Sequence, residues 1–153
     1  MSTAQEPGGA MTTAGCSDEA LTMIVQQEIA ALNTLTTVIS RDWFIDPDVQ
    51  ADGVERVGMV LVEFEAQSQA LRACADEATA DQAALIEPAL AAIAAARSFT
   101  RLTLGIAEGR TIEQAQKELR RQRPKMERET ARLTRALGAL STGWERWQAG
   151  QGG

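Results

Sequence analysis

A chain of 153 residues with 44% hydrophobic and 24% charged side chains carries enough apolar surface for one packed core and too much for wholesale disorder. It has no histidine and no tyrosine, so the commonest general base and the commonest metal ligand are both missing. Cys-x-x-Cys-His haem attachment and Glu-x-x-His di-iron sites are excluded with them. The net charge of −6 is unevenly spread: residues 1–109 hold 5 basic and 16 acidic side chains, residues 110–153 hold 10 and 5.

Residues 1–16, with Pro7-Gly8-Gly9 and many small polar residues, show no periodicity and read as a disordered tail. Ser17 or Asp18 offers a cap for a first helix that ends near Arg41. Leu21, Ile24/Val25, Glu28, Leu32, Leu35 and Ile39 share one face of it. Asp42-Trp43-Phe44-Ile45-Asp46-Pro47-Asp48 follows. Three large apolar side chains in an acidic loop are costly to leave in water, so Trp43, Phe44 and Ile45 are expected to close one end of the fold as a lid.

A second helix is expected over residues 54–75, capped by Asp48 or Asp52, with Val54, Val57, Leu61, Phe64, Ser68, Leu71 and Ala75 as its stripe. Gly58 is read there as a close helix contact. The third, residues 81–108, has an alanine-rich seam that lets a neighbour approach closely. Pro88 starts or kinks it, and Gly109 is its left-handed stop.

Thr111 opens the longest pattern with a Thr-Ile-Glu-Gln capping box. Positions 112, 115, 119, 122, 126, 130, 133, 137, 140, 144 and 147 alternate by three and four, so they form one stripe. Pro124 bends this fourth helix. A rod of roughly 55 Å would outrun the other three, so it breaks near Gly138 or Gly143 or overhangs. Residues 149–153 read as a flexible tail. The expectation is therefore one domain, 17–148, folded as an antiparallel up-down-up-down four-helix bundle. A helical hairpin closed by dimerisation is the alternative.

The basic residues of the fourth helix lie off its seam. Lys117, Arg121, Arg128, Arg132 and Arg135 share the outward side, where they either form a solvated face with nearby glutamates or meet an acidic partner. Glu113 precedes Lys117 by four, and Glu118 and Glu129 precede arginines by three. Aromatics are not interleaved with these cations, which argues against stacking on a single strand. Asp42, Asp46, Asp48 and Asp52 lack the ligand rhythm of a calcium loop and read as caps. No catalytic, cofactor-binding or metal-ligating set emerges, and no cofactor is expected.

The expected function is thus a non-enzymatic helical module for protein interaction, an adaptor, chaperone-like or regulatory protein. It would act through the basic face, the Trp43-Phe44-Ile45 lid, or both, with a protein partner that includes a second copy of itself. A small-ligand sensor with an apolar pocket between helices is the first alternative, and nucleic-acid binding through the basic face the second. No apolar run of about 18 residues and no secretory signal are evident, and Thr13-Ala14-Gly15-Cys16 lacks the apolar stretch a lipoprotein box needs. The expected location is cytoplasmic, with Cys16 and Cys74 as free thiols. In an exported mature chain the two would meet at one end of the bundle and pair.

Overall fold

The computed structural model describes residues 16–152, so the N-terminal tail expected over 1–16 lies almost wholly outside the described residues. The chain is all-helical, with no strand among those residues. It runs α1 (Asp18–Val38), a 3-10 turn (Arg41–Phe44), α2 (Pro47–Ala75), α3 (Ala80–Ala107), α4 (Ile112–Arg121) and α5 (Arg123–Gly152).

The starts of the first four helices are set by side chains that satisfy otherwise orphaned amides. Ser17 Oγ accepts from the Ala20 amide at 3.1 Å. Thr79 and Thr111 form reciprocal capping boxes with Gln82 and Gln114. Asp46, rather than Asp48 or Asp52, caps α2, accepting from Asp48 N at 2.9 Å and Val49 N at 3.4 Å. Pro47 is preorganised for the first helical position, which is why α2 begins about two turns before the expected residue 54. Gly109 has φ 69°, the left-handed stop expected after α3.

The single helix expected from Thr111 to Trp147 is two. Gln122 leaves the helical region at φ −99° and ψ 16°, two residues before a proline that has no amide to offer Arg120. The rod then runs unbroken through Gly138 and Gly143. The flexible tail expected from residue 149 is helical as far as Gly152, with Gln151 Nε2 donating to Asp18 Oδ2 at 3.5 Å. The seam largely holds: Ala115, Leu133, Leu140 and Trp147 are buried, while Thr130 is exposed and Glu129 half-buried in its stead.

α3 touches every other helix and makes its most extensive pairing with α5. Small side chains permit this: an added Cβ on Gly143 of α5 would lie 3.2 Å from Pro88 Cγ of α3. The same alanines give α3 an 18-residue window of mean hydropathy 1.3, apolar enough by composition to cross a membrane, with 44% of it buried within this fold.

α1 and α2 are tied at one end by a disulfide between Cys16 and Cys74, 4.9 Å apart at Cα, so the expectation of two free thiols is corrected. Such bridges persist in oxidising compartments. At the other end Trp43 is fully buried beneath α2, where an added Cβ on Gly53 would fall 2.5 Å from its ring. On α2, Gly53 and not the open Gly58 is therefore the glycine that close packing requires.

Candidate functional site

The residues singled out by sequence fall into two groups that the structure treats differently. Lys117, Arg121, Arg128, Arg132 and Arg135 are all exposed. Lys117 and Arg121 stand on α4 and Arg128, Arg132 and Arg135 on α5, on either side of the break at Gln122. Lys125, in the first turn of α5, is exposed as well, and on α5 the basic stretch from Lys125 to Arg135 covers roughly 15 Å at the helical rise. The lid behaves otherwise. Trp43 is buried and unavailable to a partner, Phe44 is half-buried, and Ile45 alone stands out, at 60% exposure. Two amides fasten this turn: Gln50 Nε2 donates to Trp43 O at 3.0 Å, and Gln116 Nε2 of α4 donates to Phe44 O at 2.7 Å.

Within the basic ridge, Arg121 pairs with Glu118 and Arg132 lies 3.9 Å from Glu129, both at the three-residue spacing. The hydrogen bonds from Arg121 and Gln122 hold the Glu118 carboxyl down at about 2, and the same pairing raises Arg121. Lys117, Lys125, Arg128 and Arg135 form no ion pair among the described residues, and the Glu113–Lys117 pair suggested by spacing is not made. The other pairs are Arg56–Asp52 and Arg97–Glu65. Among the described residues none of these four pairs joins residues up to 109 to residues from 110 on, so no ion pair there bridges the acidic and basic parts of the chain. Arg110 is outside the ridge in role: its Nη1 donates to Gly105 O at 2.7 Å and Ile106 O at 3.1 Å, closing the end of α3.

Beside the lid lies an open cleft of about 850 Å³ between the start of α2, the end of α3 and the start of α4. Val54, Leu104 and Ala107 wall it, and Arg101 and Gln114 stand at its edge. No group of three or more His, Cys, Asp or Glu side chains able to hold a metal occurs among the described residues.

Sequence reasoning placed Glu28 on the inner stripe of α1 but drew nothing from it. It is fully buried, neither carboxylate oxygen has a hydrogen-bond partner, and burial alone pushes its pKa from 4.5 up to about 8. Gln67 Oε1 and Thr100 Oγ1, also buried, are likewise unpartnered. The signal was available: a carboxylate at a seam position between Val25 and Leu32 has nowhere polar to go. Comparison with protein-family models, with curated proteins and with solved structures finds nothing that this chain matches.

Proposed function

We propose that this protein is a non-enzymatic helical interaction module whose α4–α5 ridge docks an acidic protein surface. The observation that carries the reading is the isolation of the ridge: its cations are exposed, and its two ion pairs are local ones within α4 and α5. Exposed arginines and lysines along α4 and α5 suit carboxylates displayed on a partner helix or strand. Protein is favoured over nucleic acid because no aromatic residue occurs between Arg110 and Arg135, so the ridge cations have no stacking platform interleaved with them. In this reading the four long helices make an antiparallel up-down-up-down bundle, with α4 as a short connecting arm. The Cys16–Cys74 bridge and the seating of Gly143 against Pro88 support that topology. The same bridge favours an exported or otherwise oxidising location over the cytoplasm.

Co-purification with mass spectrometry, comparing the native chain with an Arg121→Glu/Arg128→Glu/Arg132→Glu variant, tests the reading. Acidic protein partners should be lost from the variant. Equal recovery from both, or recovery of nucleic acid alone, would count against it. The cleft favours a second reading, a small-ligand sensor. Gln50 lines the cleft and holds the Trp43 carbonyl, so a bound apolar ligand should perturb tryptophan emission; a flat metabolite and lipid screen removes this alternative.

A further inference from the structure

The chain has no histidine, and both of its cysteines are bridged, so neither imidazole nor thiol supplies a pH response near neutrality. Glu28 is a carboxyl that burial pushes up to about 8.

Its surroundings offer no counter-charge. By register from the Cys16–Cys74 bridge, the Val38–Gly53 contact and the Asp18–Gln82 and Thr22–Trp147 bonds, the charged residues level with Glu28 are Glu63 and Glu65 on α2, Glu87 and Arg97 on α3, and Arg135 and Glu145 on α5. All are exposed except Arg97, which is half-buried and committed to Glu65 at 3.2 Å. The buried faces of these helices are apolar or neutral, with Phe64, Gln67 and Ser68 on α2 and Ala92 and Ala96 on α3. An ionised carboxylate there has neither water nor partner, whereas a neutral acid is tolerated and supplies a donor in a core that already holds unpartnered acceptors.

The helix that carries Glu28 is fastened at both ends. Near its start are the disulfide and Gln82 Nε2, which donates to Cys16 O at 3.0 Å and Asp18 Oδ1 at 2.9 Å. At its end Val38 is packed with Gly53 under the Trp43 plug. A charge created between those fastenings cannot be relieved by releasing the whole helix.

We propose that Glu28 is a proton-operated latch in the fold: neutral, it lets the centre of α1 lie against α2 and α3; ionised, it draws that centre out toward water while both ends stay held. The latch is independent of what the α4–α5 ridge binds.

The test uses the full, disulfide-intact chain. Denaturant unfolding of the native protein should show an unfolding constant that rises about tenfold per pH unit between about pH 5 and 8 and levels off above. Glu28→Gln should flatten that dependence, and Glu28→Leu serves as a second variant if the amide fails to fold. The infrared carbonyl band of a neutral carboxylic acid should be present in the native chain near pH 6.5 and missing from Glu28→Gln. At a common pH above 8, amide exchange at the centre of α1 should be at least tenfold faster in the native chain than in the Gln variant, with little change at its ends. A pH-independent native chain, a slope retained in both variants, no acid band, or exchange that accelerates uniformly along α1 would each overturn the latch.

Discussion

Two regions of this molecule hold charges without partners, and they could hardly treat them more differently. On the outside of α4 and α5, Lys117, Lys125, Arg128 and Arg135 stand in solvent, where an unpaired cation costs little because water solvates it. Inside, Glu28 of α1 has neither water nor a counter-ion, and the only relief is to keep its proton. The difference teaches that want of a partner is not itself a cost; want of both partner and solvent is. The outer row stays solvated at little cost, while the inner acid is expected to make the fold respond to pH.

The largest effect expected from this contrast is the pH dependence of stability. The unfolded chain releases the Glu28 proton near 4.5 and the folded chain near 8, so between those values folding takes a proton up. Stability should be greatest below about pH 4.5 as far as this group is concerned, fall as pH rises, and level off above 8. The total loss is on the order of 5 kcal/mol. Denaturation midpoints measured across that interval check it, and an exposed acid such as Glu63 changed to Gln should leave the curve where it was. Next in size is the staple that keeps α1 beside α2. Cys16 and Cys74 close a 58-residue separation, and replacing both by Ser should lower stability by about 4 kcal/mol under non-reducing conditions. If the reduced protein unfolds at the same denaturant concentration as the oxidised one, α1 is held by its packing alone.

Smaller again is the plug at the opposite end. Gly53→Ala would drive a methyl into the Trp43 ring, which is buried and has no flexible tip to swing aside, so a loss of about 1–3 kcal/mol is expected in chemical denaturation. Gly58→Ala, in open space on the same helix, should instead be neutral or slightly stabilising. These two glycines also mark what the sequence could and could not reveal. Hydrophobic periodicity identified the helical stretches and nearly all of the α4–α5 seam, because a three-four pattern reports which face is covered. It did not distinguish Gly53 from Gly58, since which glycine meets a tryptophan depends on how a 3-10 turn folds back across α2. Likewise Pro124 announced a bend, but whether the chain bends or breaks was settled at Gln122 by local backbone geometry. Glu28 was legible by position and its meaning was not, because the same seam letter is harmless at a solvated edge and costly at a sealed centre.

The smallest effect on stability is expected where the effect on binding should be greatest. Arg128→Glu and Arg135→Glu change residues that are exposed and make no ion pair among the described residues, so each should move stability by no more than about 0.5 kcal/mol. Arg121→Glu differs, because it abandons Glu118 in a half-buried setting with a like charge three residues away. Thermal melts of the three variants at low and high salt separate these cases: the first two should coincide with the native curve at both, and the Arg121 variant should recover part of its loss as salt screens the repulsion. If Arg128→Glu proved as damaging as the Arg121 change, the ridge would be part of what holds the fold together, and its cations could no longer be regarded as left over for a partner.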